Sequence, residues 1–472
     1  MRRDSRLLTV SLAAVLGGFA ATAVSTPTLL SFSDNTGLVA TFPIDGQPLK
    51  LTGAFFQPLA SSGRSCSSCH RPAQAWSISA DEVSARFDST QGLDPIFRTN
   101  DGSNCDHNID TSTVEGRRKA YSLLTSRGLI RMAMRVPANA EFEVVSVRNA
   151  YGCDDRTNLS TYRRPLPTTN LHFLTSIMWD GREAAPLNAA ELETGLTRQA
   201  SNAAVLHAQA RTPLNAQQTQ EIVRFELGLA TAQVFDREAG ALDALGARGG
   251  ATVLATQTIP SFSVGINDPQ AGDPHTIKAE NAVRLFDSWS KLRYGKVYDP
   301  ATAGDDGSDA ASRRRASIAR GQLVFNQQAF DIRGVAGLND ERHSPSITGA
   351  CGTCHNTPNG GNHSRADSMN TGVSEANSPL EVSYLPVITL RNKATQETRT
   401  TTDPGRALVT GRWQDIGKMK TPVLRGLAAR APYFHNGSAK SLADVVDFYN
   451  QRFHAGFSAQ QKEDLIAFLS SL

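Results

Sequence analysis

The sequence predicts an all-α protein of two helical domains, the first carrying a loop-rich insertion. Three observations lead there. Apolar residues recur at spacings of three and four in several long segments, and almost no stretch reads convincingly as a strand. The third is a five-residue pattern, Cys-x-x-Cys-His, that occurs twice and far apart, as Cys66-Ser67-Ser68-Cys69-His70 and Cys351-Gly352-Thr353-Cys354-His355. This pattern is the attachment signature of a c-type haem. Its two thiols reach the two vinyl groups of one porphyrin, and the adjoining His offers a ring nitrogen to the iron. Helices wrapped around a haem in each half account for the expected fold class. The alternative, a zinc site, fits less well. Cys pairs that share a zinc usually lie about 15–20 residues apart, and both pairs here carry the extra His.

The chain starts with Arg2, Arg3 and Arg6, a mostly apolar run from Leu7 to Ala23, and small residues at Ala21-Thr22-Ala23. Residues 1–25 therefore read as a secretory signal peptide, without the hydrophobic pattern of a twin-arginine signal. A retained membrane anchor is the alternative, but the run is short and broken by Gly17 and Gly18. No later stretch approaches the roughly 18 apolar residues of a membrane span. The expected location is the periplasm, which suits a covalently attached haem. Removing the leader leaves about 450 residues, too many for one core. The formal charge of +3 falls to about +1 with the leader gone and gives no warrant for nucleic-acid binding.

Residues 26–300 form the first expected domain, with the insertion at about 79–167. That insertion is rich in Asp, Asn, Ser, Thr and Arg, with a helical stretch at Val114 to Met134 and an extended piece at Glu141 to Arg148. Its Cys105 and Cys153 are the cysteines left over from the two motifs. In an oxidising compartment they most simply pair, closing a loop worth about 3–4 kcal/mol on a chain-entropy estimate; two free thiols are the alternative. Asn188 to Leu245 is rich in Ala, Leu, Glu and Gln and reads as two or three helices, interrupted by a turn at Thr212-Pro213-Leu214-Asn215. An amphipathic helix is expected at Lys278 to Trp289. Ala301 to Ala310 has linker composition, so a linker at 301–315 separates the first domain from a second at 316–472. Helix restarts at Ala311 to Phe325 before the second motif, and Ser458 to Leu472 reads as a capped amphipathic helix with Leu465, Ile466, Phe468 and Leu469 on its apolar side.

Five ordered segments together resemble the bacterial di-haem cytochrome c peroxidase family, including its MauG-like branch. They are the two haem motifs, Met178-Trp179-Asp180-Gly181-Arg182, Lys420-Thr421-Pro422-Val423-Leu424-Arg425, and Ala431-Pro432-Tyr433-Phe434-His435-Asn436-Gly437 with the helix from Leu442 to Asn450. The resemblance runs across nearly the whole chain after the leader, apart from the insertion. It implies two cytochrome c-like domains with divided roles. The first would hold a peroxide-reacting haem on His70, with its far face open or openable, and the second an electron-transfer haem on His355. An iron with protein ligands on both faces transfers electrons but cannot bind peroxide, so one position must stay vacant.

For the second haem the resemblance implies a second axial ligand fourteen residues after His435, which is Tyr449. Ordinary members carry Met there. Tyr is the MauG-like arrangement, and an anionic oxygen ligand favours oxidised iron. A packed helix tyrosine, with Met419 or Met369 as ligand, is the alternative. For the first haem, relatives place a Gln and then an acid above the iron. Gln199 resembles the Gln, and His207 is the nearest residue able to relay a proton at neutral pH; it could equally be a surface histidine, with Glu191 and Glu193 in reserve. Trp179 takes the family position between the haems. Arg182 and Arg425 steady propionates or buried acids, or form structural salt bridges, and His435 is structural or catalytic. Family members also bind calcium between the haems through an Asn and backbone carbonyls. Here Arg163-Arg164-Pro165-Leu166-Pro167 lacks that Asn and Arg430 stands where a small polar residue is usual, which argues against calcium. Asn170 could substitute only with a shift of register.

The expected function is reduction of hydrogen peroxide with electrons from a small donor protein, a cytochrome c or a cupredoxin. One rival keeps the haems but oxidises a residue of a protein substrate, as the MauG-like branch does. Another is a di-haem electron-transfer cytochrome with no chemistry of its own. Against the latter stands the lack of an obvious Met or His ligand near the first motif; the nearest downstream histidine, His107, lies in the insertion.

Overall fold

The computed structural model describes residues 29–105, 109–183, 189–257, 282–290, 309–361 and 367–472. The expected leader at 1–25, His107, the start of the helix expected from Lys278 and the first part of the linker lie outside these residues.

The all-α expectation is overturned: eleven strands form four sheets among the described residues, so the fold mixes α and β. The largest sheet has the order β1 (Leu30–Ser33), β2 (Gly37–Pro43), β6 (Leu229–Asp236) and β7 (Gly240–Ala241). A second places β10 (Val387–Asn392) between β11 (Thr398–Thr401) and β4 (Phe142–Arg148). Two hairpin-like pairs complete the set, β3 (Ile130–Arg135) with β5 (Asn158–Arg163) and β8 (Phe330–Ile332) with β9 (Ile347–Gly349). All the pairings are antiparallel.

These strands escaped the pattern reading for physical reasons. Residues Leu229 to Gln233 of β6 are all buried, so no period-two alternation appears. The strand also follows, after one residue, the helix that ends at Leu227, and its Ala-Thr-Ala run shares that helix's composition. The helix expected at Val114 to Met134 is two short helices, α2 (Val114–Ala120) and α3 (Ser122–Arg127), and then β3. Gly128 at φ +62° ends α3 in the left-handed region, where a Cβ is disfavoured. The extended piece near Glu141 is β4, and it pairs with β10 near the far end of the sequence rather than with the first haem segment.

Other helices follow the sequence closely. After α1 (Ala80–Thr90), α4 (Ala189–Leu206) and α5 (Ala216–Leu227) are separated at the expected turn. Asn215 caps α5 by accepting the Gln218 N–H at 2.9 Å, and the Gln218 side chain accepts the Asn215 N–H at 3.2 Å. Of the two or three helices expected before Leu245, two form and β6 and β7 take the rest, and a single turn at Asp287–Trp289 stands where a longer amphipathic helix was expected. Beyond the short α6 (Ala251–Ala255), α7 (Ala310–Gln327) starts at an Asp309 cap. After α8 (Ala407–Thr410), α9 (Leu442–Phe453) and α10 (Ala459–Ser470) carry Ser441 and Ser458 caps.

Helices α7 and α10 cross closely, and a Cβ on Gly321 would lie 1.9 Å from the Asp464 carbonyl oxygen. Ile318, Val324, Phe325, Leu465 and Phe468 bury around that crossing. Cys105 and Cys153 form a disulfide with Cα atoms 5.1 Å apart, so the two leftover cysteines are paired. Among the described residues no helix is long and apolar enough to cross a membrane.

Candidate functional site: two cavities with a shared wall

Both Cys-x-x-Cys-His segments fold into the same local structure. Each begins as a single tight turn, Cys66–Ser68 and Cys351–Thr353, and in each the His N–H donates to the carbonyl of the first Cys, at 3.0 Å for His70 and 3.1 Å for His355. Thiols and imidazole are thereby gathered on one turn. The rings are held alike. His70 Nδ1 lies 3.1 Å from the Trp76 carbonyl oxygen and His355 Nδ1 lies 2.7 Å from that of Gly360. A carbonyl only accepts, so Nδ1 carries the proton and Nε2 keeps its lone pair, as an iron ligand must. Burial pushes His70 down to about 4, lowers His355 as well, and raises the thiols of Cys66, Cys69 and, to about 12, Cys351. Neutral thiols and neutral imidazoles are the donor set that c-type attachment uses.

Each turn opens on an apolar cavity. Cys351, Cys354 and His355 line one of about 220 Å³ together with Tyr449, Met369 and Met419. Cys66, Cys69 and His70 line one of about 140 Å³. Trp179, Lys420, Arg164 and Val423 line both cavities and form their common wall. The Trp179 indole N–H donates to the Arg164 carbonyl at 2.8 Å, its own carbonyl accepts the Lys420 N–H at 2.8 Å, and its ring stands 6.0 Å from that of His435.

Polar atoms left without partners test the fit to haem. Arg425 donates through Nε to the Pro358 carbonyl at 2.7 Å, while its buried Nη1 finds no partner among the described residues. It ends the Lys420 to Arg425 segment and lines a small cavity with His355 and with Asn356 to Gly360, the segment that follows that histidine. A buried guanidinium donor facing no acid suits a propionate. Arg182 takes the other role expected of it and steadies a buried acid. It is partly exposed and pairs with Asp180 at 2.8 Å, outside both cavities.

The His70 cavity has a polar ceiling on one helix face. Leu196, Gln199, Ala200, Ala203, Ala204 and His207 follow the three-and-four spacing of α4 and all line it, the alanines leaving room between the two polar side chains. His207 Nδ1 lies 3.0 Å from Asp101 Oδ1, and Asp101 Oδ2 accepts from Arg64 Nη1 at 2.5 Å. Burial alone would raise Asp101, but His207 and Arg64 outweigh it and hold the carboxyl below its usual range. Glu191 and Glu193 point to solvent and leave the cavity to His207.

Several residues here were invisible to sequence reasoning. Asp101 ends a single turn at Thr99–Asp101 and Arg64 lies in a loop, both far from His207 in sequence. Glu226, 3 % exposed with Oε2 unpartnered among the described residues, lines the cavity, and burial raises it to about 8. It continues the buried stripe Thr219, Ile222, Val223 of α5, a carboxyl at an apolar position that inspection could have flagged. Met132 and Met178 also line this cavity, near the first motif in space though not in sequence.

Tyr449 lies on α9, stacked on Phe453 at 6.0 Å between rings, and burial raises its phenol while Thr371 opposes that. Met369 and Met419, joined by paired backbone hydrogen bonds of 2.8 and 3.0 Å, share its cavity. The calcium site does not fit. The Asn170 amide is spent on Thr231, with Nδ2 2.8 Å from its carbonyl oxygen and Oδ1 accepting its N–H at 2.9 Å, and Arg164 projects its guanidinium into backbone carbonyls instead.

No family model matches the chain. Among curated proteins, it is 38 % identical over 135 residues to cytochrome-c peroxidase IdrP2 of Denitromonas iodatirespirans, covering 26 % of this chain and 36 % of that one. It is 43 % identical over 81 residues to cytochrome-c peroxidase IdrP1 of Pseudomonas sp. (strain SCT), covering 15 % of this chain and 21 % of the relative. The chain thus spans about a third or less of the length of the curated relatives it matches. A solved MauG-like protein associated with microbial copper homeostasis aligns over 91 % of both chains at 16 % identity with a TM-score of 0.31, too low to bear on the fold. Over the aligned stretches, the chain is similar to these bacterial cytochrome-c peroxidases.

Proposed function

We propose that this chain is a periplasmic di-haem peroxidase that reduces hydrogen peroxide with electrons from a small cytochrome c or cupredoxin. The observation that carries the reading is the pair of cavities, each built on a Cys-x-x-Cys-His turn with a pinned neutral imidazole, separated by one wall that contains Trp179. Haem attached through Cys66 and Cys69, and through Cys351 and Cys354, would supply the redox chemistry of both sites, with His70 and His355 the residues that would hold its iron. The peroxide site belongs to a unit at 26–300 and the electron-entry site to a unit at 316–472.

The chain's own residues do the rest. Asp101 fixes the His207 ring by its Nδ1, leaving Nε2 to take a proton from one peroxide oxygen and return it to the other. Gln199, on the same helix face, donates a hydrogen bond into the cavity. Trp179 carries electrons across the shared wall, and Arg425 holds a propionate. Tyr449 is the second ligand in the His355 cavity. Tyr449→Met is therefore expected to raise the reduction potential of that haem, measured by spectroelectrochemical titration; an unchanged potential would return the ligand role to Met369 or Met419. The same tyrosine favours a second reading, in which a residue of a protein substrate replaces the small donor.

The test is turnover of peroxide by the purified holoprotein with reduced cytochrome c or cupredoxin. Peroxide-dependent oxidation of the donor is expected. Failure with every such donor, both haems being intact, would overturn the reading.

A further inference from the structure

Arg164 is 5 % exposed, yet among the described residues it pairs with no carboxylate. Its neighbour Arg163 makes the contrast, held between Asp180 and Asp403. The Arg164 guanidinium instead meets backbone oxygens from three separate segments: Nη1 donates to the Arg127 carbonyl at 3.0 Å, and Nη2 donates to those of Ile78 and, at 3.0 Å, Arg430. Main-chain bonds brace the same spot, because the Arg164 N–H donates to the His435 carbonyl at 2.7 Å and the Arg164 carbonyl accepts from Trp179. Room for the group is also built in. A Cβ on Gly128 would lie 2.6 Å from Arg164 Nη1.

Backbone carbonyl oxygens gathered from three segments are ligands that a hard cation such as calcium also takes, together with carboxylates or water. The geometry points to the Arg164 guanidinium as the resident cation of this carbonyl cluster, in the wall between the two cavities, so that the protein needs no metal ion there. The guanidinium satisfies carbonyls that would otherwise be buried without partners. It also ties Ile78 and Arg127, on the side of the first motif, to Arg430, just before the segment that carries His435. The charge is permanent, whereas a bound calcium could be stripped by chelation. Burial and the neighbouring charge of Arg430 lower the Arg164 guanidinium to about 9, with Tyr433 opposing them, so the group stays charged at neutral pH. The inference stands whether or not the chain is a peroxidase.

The experiment compares the full-length holoprotein with Arg164→Glu and Arg164→Lys, reading melting midpoint and calcium binding by equilibrium dialysis. Wild type is expected to bind no calcium at this site and to melt at the same temperature in millimolar calcium and in EGTA. Arg164→Glu places a carboxylate where its oxygens and the carbonyls could share an ion. It should melt roughly 5 °C or more lower in EGTA, as an uncompensated buried charge does, and recover with stoichiometric calcium uptake. Arg164→Lys, which keeps a cation, should melt between the two and ignore calcium. Stoichiometric calcium binding by wild type, or a wild-type midpoint that falls in EGTA, would overturn the inference. So would an Arg164→Glu protein that melts like Arg164→Lys and is indifferent to calcium. Should Arg164→Glu not accumulate, the wild-type calcium measurements and the Arg164→Lys midpoint decide alone.

Discussion

Replacing Cys351 and Cys354 together by Ala is expected to remove one of two covalent haems from the purified protein, seen as the loss of one haem mass under denaturing conditions. The attachment chemistry needs both thiols on the turn that also presents His355, and no other free cysteine lies in that cavity. The haem on Cys66 and Cys69 should remain, because its thiols lie on their own turn, beside their own imidazole. Electron delivery from a donor protein should then fall to background. Recovery of two covalent haems in the variant, or of a tightly bound zinc in place of either, would remove the basis of the proposed function.

His207→Ala should lower peroxide turnover by about 100- to 10,000-fold, the range over which a positioned acid–base group acts, with both haems still attached. The reason is geometric. His207 and Gln199 are the polar side chains on the α4 face that closes the His70 cavity, and His207 alone is held by a carboxylate. Asp101→Asn keeps the shape of that contact but loses the charge, so it should cost less than loss of the ring and should shift the pH profile of turnover. A His207→Ala enzyme within a few-fold of wild type would leave the histidine a structural partner of Asp101 and hand the proton transfer to another group, with Glu226 the candidate on the cavity wall.

How much of this was legible in the sequence depends on the distance over which each feature is encoded. The haem turns are local, and Cys66 to His70 and Cys351 to His355 fold as their spacing implies. The cap at Ser458 was equally plain and forms reciprocally with Gln461, whereas Asn215 was read only as part of a turn and its cap with Gln218 came from the fold. Most of the strands were not plain: β6 is covered on both faces for five residues and lacks alternation, and pairing such as Val387 with Arg148 joins segments with no local signal of each other. At the site, His207 and Tyr449 were reachable through family offsets, whereas Asp101, 106 residues from His207, emerged only from the fold. Arg164 was noticed for what it lacked. Its role as a donor to three carbonyls appears only when Ile78, Arg127 and Arg430 converge.

The central claim is that one of two haem sites keeps a vacant coordination position while the other is closed by Tyr449. Low-temperature electron paramagnetic resonance of the purified ferric holoprotein tests this most directly, since Met132, Met178 and His207 all line the His70 cavity and any of them would close it if it bound. The account predicts one high-spin and one low-spin signal in equal amounts, with the low-spin signal lost or altered in Tyr449→Phe. Two low-spin signals, both unchanged by Tyr449→Phe, would contradict it and leave a protein that carries electrons without reacting with peroxide.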